Sequence, residues 1–301
     1  MTAFAIIGFG EVGGIFARDL QAGGASRITA YDIARAACER AASSGFACGS
    51  AAQAASEADV VFVSVTAGSA LDAAASLAGG LGRAPFVVDV NSVSPSTKRH
   101  AARAVEQAGG RYVEAAVMTS VPPQGLRSPM LLGGPHVAGF MALMASFGMR
   151  LTESSAEIGH ASSIKMCRSV MIKGIEALTT ECMLAARHYG VERDVLATLG
   201  DTLPHPDWPD LARYVIGRAL LHGKRRAEEM REVARTVSEA GVEPLLSRAI
   251  AKRQDWAAER GREIGRDGLA APDLDALLDA LKAAMEGARS QHAQPPARVD
   301  S

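Results

Sequence analysis

The period of apolar positions changes half-way along the chain. Over the first half, short β-branched runs at 4–7, 27–31, 60–65, 86–90, 112–117 and 130–132 alternate with Ala-rich segments of helical length. That alternation predicts βαβ units and a doubly wound, mostly parallel sheet. From Gly159 onward the period is that of amphipathic helices, at 159–189, 191–200, 208–221, 223–240, 243–260 and 273–287. Gly190, the stretch from Pro204 to Pro209, Gly241 and Pro272 punctuate them. The expected organisation is an α/β domain over 1–157, an all-α domain over 158–289, and a disordered tail over 290–301, where few apolar groups remain to bury.

Where the first run ends, Gly8-Phe9-Gly10-Glu11-Val12-Gly13 opens an amphipathic segment. A G-x-G-x-x-G pattern in this strand–turn–helix context predicts a Rossmann-like dinucleotide site. Gly8 permits the tight turn, Gly10 lets a pyrophosphate approach the backbone, and Gly13 lets the helix lie close to the strand with its N-terminal amides facing the anion. Asp32 ends the second strand, placed to accept from the ribose hydroxyls of an adenosine, and its charge would repel a 2′-phosphate. NAD is therefore the expected cofactor in preference to NADP, with Arg35 read as a solvated first-turn arginine. Sheets of this kind bind ligands at strand ends, so Ser64, Val65 and Thr66 are expected near the adenosine half and Asn91 and Ser92 near the nicotinamide ribose and substrate.

Composition narrows the partners. The chain has 301 residues, 48% of them hydrophobic, and 32 basic against 33 acidic side chains give a net charge of −1. Such a balance offers no field for nucleic acid or an anionic membrane, and no apolar run is long enough to span a bilayer. Cys38, Cys48, Cys167 and Cys182 show no C-x-x-C spacing and are expected to be buried thiols in a reducing cytoplasm. The seven histidines form no H-x-x-x-H or H-E-x-x-H, so no metal site is expected, and no serine sits in a G-x-S-x-G elbow.

Three further stretches carry a resemblance to the β-hydroxyacid dehydrogenase family, which includes 3-hydroxyisobutyrate and phosphogluconate dehydrogenases. Asp89-Val90-Asn91-Ser92-Val93-Ser94-Pro95 is similar to its D-x-S-T-x-x-P. Glu114-Ala115-Ala116-Val117-Met118-Thr119-Ser120 is similar, with departures, to its D-A-P-V-S-G-G. Residues 159–169 resemble its G-x-x-x-x-x-K-x-x-x-N, with Ser169 in place of Asn. The resemblance implies a homodimer or higher homo-oligomer, a small carboxylate substrate and a general acid/base lysine, which falls on Lys165. It also implies a substrate-carboxylate turn at Thr119 and Ser120, bulkier here than the family's glycines. Imine reduction and non-catalytic dinucleotide binding are the alternatives. A branch of the family resembles this chain at 222–230, a basic cluster that reads as a solvated, salt-bridged face.

The helical spacing of Lys165, Arg168, Ser169 and Lys173 places them on one polar stripe of an otherwise apolar helix, where a cluster of cations calls for an anion; the plainer alternative is a solvated surface face with Met166, Cys167, Val170 and Met171 as its core side. Arg168 and Lys173 are expected to bind substrate and, as neighbouring cations, to ease deprotonation of Lys165. Ser169 is expected to hold a substrate oxygen or a water.

Overall fold

A computed structural model describes residues 2–202 and 207–292. Seven strands form one sheet in the order β2-β1-β3-β4-β5-β6-β7. They are β1 (Ala3–Ile7), β2 (Arg27–Tyr31), β3 (Val60–Val63), β4 (Phe86–Asp89), β5 (Arg111–Val117), β6 (Met130–Gly133) and β7 (Leu151–Ser155). The first five are mutually parallel, β6 runs antiparallel to β5, and β7 pairs parallel to β6. Helices α1 (Glu11–Ala22), α2 (Arg35–Ser43), α3 (Ala51–Ala55), α4 (Ala70–Ala75), α5 (Pro95–Gln107) and α6 (Val137–Met144) connect the strands.

Both faces of the central strands are covered, which is why they read as continuous apolar runs. Phe4, Ile6, Phe62 and Val88 pack on one side with Phe16, Leu20 and Phe140. Ala5, Ile7, Val61, Val63 and Val87 pack on the other with Leu77, Leu81 and Val105. β7 was not expected. Leu-Thr-Glu-Ser-Ser carries one aliphatic residue, and as an edge strand with a largely exposed side it has no need of more.

The remaining helices are α7 (His160–Tyr189), α8 (Glu192–Thr202), α9 (Trp208–Glu239), α10 (Leu245–Leu269) and α11 (Leu274–His292). Part of the loop expected between 204 and 209 lies outside the described residues, as do 293–301 of the expected tail; 290–292 continue α11. The chain divides into two compact units, the first running to Arg168 and rejoined by Arg235–Glu243, the second holding Ser169–Ala234 and the chain from Pro244 onward. In the second, Met183, Leu196, Ile216, Leu220, Leu277, Leu278 and Leu281 form the core.

Two expectations about these helices are corrected. The segments 208–221 and 223–240 are one helix, because Gly223 is a packing glycine and no terminator. A Cβ on it would stand 2.3 Å from Gln254 O, and one on Gly261 would stand 2.4 Å from Leu220 O, so α9 and α10 touch backbone to backbone. On α7 the plainer reading of the stripe as a solvated face fails at Ser169 and Lys173 and holds at exposed Arg168, and of its core side Met166 is buried whereas Met171 is not. Ser169, Lys173, Glu176 and Thr180 are buried, whereas Met171 (65% exposed) and Leu178 (70%) face outward with Ile164, Ile172 and Ile175. The thiols follow suit: Cys167 and Cys182 on α7 are exposed, and Cys38 and Cys48 are half-buried. The cause is a set of ion-pair partners on α9, which makes the inner face of α7 the polar one.

Candidate dinucleotide and substrate site

The three glycines of the first turn do different work. Gly8 has φ +92° and a Cβ there would lie 2.3 Å from Ser64 O; one on Gly13 would lie 2.0 Å from Gly8 O. Both are demanded by packing. Nothing stands within 4 Å of where a Cβ on Gly10 would be. The position is open to an incoming group, and no side chain caps the N-terminus of α1, at Glu11 and Val12.

Asp32 braces this turn. Its Oδ2 accepts from Phe9 N at 2.7 Å and its Oδ1 from Ala34 N at 2.8 Å, leaving a second lone pair on each oxygen. The Phe9 ring packs in the core beside Phe46, and its carbonyl accepts from Arg40. Arg35 is engaged by Glu39 at 2.9 Å on the exposed face of α2.

The strand ends are stitched together. Ser64 Oγ donates to Gly8 O at 2.9 Å, and Val65 N donates to Asn91 Oδ1 at 2.7 Å. Thr66 pairs with Ser69. Asn91 N donates to Asp89 Oδ1 at 2.9 Å. Because Val65 N needs an acceptor, the Asn91 amide can face only one way. Its Nδ2 is then buried without a protein partner. Asp89 itself is buried among Lys98 Nζ at 2.9 Å and Tyr112 OH at 2.8 Å, and Lys98 Nζ also donates to Asp89 O. Burial first and the Asp89 carboxylate second hold the Tyr112 hydroxyl well above its usual pKa, so it stays a donor. Sequence reasoning missed Lys98 and Tyr112. The signal was there for the lysine: it falls on the apolar face of α5 with Ala101, Ala102 and Val105.

Lys165 Nζ lies 2.6 Å from Ser92 Oγ, joining α7 to the segment after β4. Arg168 donates to Met118 O at 3.4 Å, beside exposed Thr119 and Ser120. Ser169 and Lys173 group differently. Lys173 Nζ is 3.2 Å from Ser169 Oγ and 2.8 Å from Glu229 Oε2. The Lys173 charge is therefore paired with Glu229. The basic cluster at 222–230 is ion-paired as expected but only partly solvated: Arg225 pairs with Glu229 one turn on, and buried Arg226 pairs with buried Glu176 of α7. Gln254 also donates to Glu176, at 3.2 Å.

The open approach over Gly10, the uncapped start of α1 and the orphaned Asn91 amide all fit a dinucleotide. Comparison with known proteins agrees. Residues 3–135 match the NAD binding domain of 6-phosphogluconate dehydrogenase, and 186–257 match a domain of unknown function, DUF1932. A conserved hypothetical protein of Sinorhizobium meliloti 1021 is 35% identical, with 94% of this chain and 97% of that one covered and a TM-score of 0.72. The chain belongs to the β-hydroxyacid dehydrogenase-like family of NAD-binding proteins. A second member, the conserved protein MTH1747, is 32% identical over 86% of this chain and 98% of its own, at a TM-score of 0.65; it was described as structurally similar to 3-hydroxyacid dehydrogenases. The fold extends to more distant proteins, such as a Mycobacterium tuberculosis 3-hydroxyisobutyrate dehydrogenase, solved with L-serine, at 17% identity, a TM-score of 0.68 and coverage of 86% and 94%. Among the described residues no helix is long and apolar enough to cross a membrane.

Proposed function

We propose that this family member is a cytoplasmic NAD-dependent oxidoreductase acting on a small β-hydroxyacid, or on the corresponding oxoacid or aldehyde, with Lys165 as general acid/base. The observation that carries the reading is the 2.6 Å contact of Lys165 with Ser92, in the compact unit that also holds the glycine turn and Asp32. The dinucleotide, when bound, supplies or accepts the hydride. Gly10 and the first amides of α1 hold its pyrophosphate, Asp32 its adenosine ribose, and Asn91 Nδ2 donates to it or to substrate. Lys165 Nζ takes the hydroxyl proton in oxidation and returns it in reduction, with Ser92 Oγ fixing the ammonium between turnovers. Arg168, next to the turn at Thr119 and Ser120, provides the planar donor fork for a substrate carboxylate. Ser169, hydrogen-bonded to Lys173, is retained as a substrate-side hydroxyl. The division of labour remains dinucleotide on 1–157 and substrate and self-association on 158–289, except that Lys165 and Arg168 belong to the first compact unit.

A screen of hydroxyacids, oxoacids and aldehydes with both nicotinamide cofactors, read by the absorbance of the reduced nicotinamide, tests the reading. Lys165-dependent turnover is expected on a member of that set; tight NAD binding with no turnover on any of them would favour a non-catalytic dinucleotide-binding protein. Calorimetry is expected to give tighter binding of NAD(H) than NADP(H), and Asp32→Ala is expected to narrow the gap. Equal affinities in the unaltered protein would overturn the preference.

Self-association belongs to the same proposal. The outward apolar row Met171, Ile175 and Leu178 on α7 follows the spacing of a helix–helix seam, which a second copy would cover. Light scattering is expected to give a mass above the 31.3 kDa of one chain and to return that value for Leu178→Asp. A monomeric unaltered protein sinks the idea.

A further inference from the structure

We propose that Glu114 is a positioning residue for Lys165, acting through the N-terminus of α7. It is fully buried on β5, and its two oxygens are spent on one helix end: Oε2 accepts from Gly159 N at 2.6 Å and Oε1 from Ser162 N at 2.6 Å. Burying a carboxylate is costly, and here the opening amides and positive dipole end of a helix offset that cost. The surroundings are shaped around it. A Cβ on Gly133 would stand 2.6 Å from Glu114 Oε2, and Gly159 has φ +106°, a left-handed conformation that brings its amide to the carboxylate.

This contact closes a loop of constraints that ends at the reacting group. Glu114 is the register partner of Asp89 on β4, and Asp89 is followed two and three residues later by Asn91 and Ser92. Glu114 grips α7 at Gly159 and Ser162; about one turn later, at ~1.5 Å per residue, α7 presents Lys165, whose Nζ meets Ser92. Arg168 then meets Met118 O, just past the end of the strand that carries Glu114. One carboxylate thus sets the height of α7 against the strand ends. A displacement of the helix by ~1 Å would carry Lys165 off Ser92, and misplacement on that scale costs roughly 10²-fold in rate. The inference rests on the assignment of Lys165 as acid/base, but its contact with α7 can be tested without a substrate.

The chain has six lysines, Lys98, Lys165, Lys173, Lys224, Lys252 and Lys282, so competitive acylation followed by peptide mass spectrometry reads Lys165 against exposed Lys224 in one sample. In Glu114→Gln the side chain can accept only one of the two amides and turns an N–H towards the other. Labelling of Lys165 relative to Lys224 is expected to rise about tenfold, the worth of one charge-assisted hydrogen bond released. Glu114→Asp keeps the charge but falls one methylene short; it should give a smaller rise, and it carries the test should the Gln variant not fold. On the substrate returned by the screen, kcat should fall in the same order with KM nearly unchanged. A folded Glu114→Gln or Glu114→Asp protein whose Lys165 labels as in the unaltered chain overturns the proposal. An empty substrate screen, with the labelling shift present, instead counts against the dehydrogenase reading and leaves the helix clamp standing.

Discussion

Lys165→Met is expected to abolish most turnover while leaving dinucleotide affinity nearly intact. Methionine preserves the length and apolar stem of the side chain but removes the proton carrier. One general acid/base is worth roughly 10²–10⁴-fold in rate, so kcat on the substrate identified by screening should drop within that range. The dinucleotide contacts assigned to Gly8–Gly13, Asp32 and Asn91 lie on other elements, and NADH binding followed by fluorescence should change little. Binding and chemistry should therefore separate in one variant. Arg168→Ala should raise KM more than it lowers kcat if its fork holds the substrate carboxylate. Near-normal turnover by Lys165→Met would refute the acid/base assignment and send the search for a proton carrier elsewhere.

The second large effect lies in the helical unit, away from Lys165. Arg226→Met should destabilise the protein by about 3–5 kcal/mol at neutral pH, because it leaves the buried Glu176 carboxylate without its main partner. The sign of the pH dependence follows. Desolvation already raises the Glu176 pKa above the ordinary value, against the opposing pull of Arg226 and Arg218, and loss of Arg226 raises it further. A carboxyl whose folded pKa exceeds its unfolded one is penalised above the folded pKa and relieved as pH falls through it. Urea denaturation of Arg226→Met should therefore show a deficit that shrinks on acidification from neutral pH, and Arg226→Met with Glu176→Met should recover much of the loss. A deficit independent of pH would mean that lost packing of the arginine stem, and no stranded charge, is responsible.

The fold was legible wherever one element's own residues decide its fate. The glycine turn and Asp32 are local patterns, and the central strands announce themselves because both of their faces are buried. What escaped was decided at a distance. β7 is held by pairing with β6 and by little in its own composition. Gly223 looks like a break until Gln254 of α10 is seen against it. Lys165, Arg168, Ser169 and Lys173 read as one stripe, yet Ser169 and Lys173 are buried and Arg168 is exposed. The buried partners that decide this face, Glu229 for Lys173 and Arg226 for Glu176, lie some 50 residues away in sequence. Glu114 was visible only as a departure from a family pattern. Its role needs Gly159 and Ser162 beside it, 45 and 48 residues on.

The unequal roles of Gly8, Gly10 and Gly13 bear on how the sequence of such a protein can drift. Alanine at Gly8 or Gly13 collides with backbone, so selection for a foldable chain alone would purge it. Alanine at Gly10 collides with nothing in the protein, and only an occupant of the space above it would object. In a lineage released from dinucleotide binding but still required to fold, the middle glycine is the one free to be lost. Among sequences sharing this turn, a missing Gly10 flanked by intact Gly8 and Gly13 would mark descendants that kept the architecture and abandoned the cofactor.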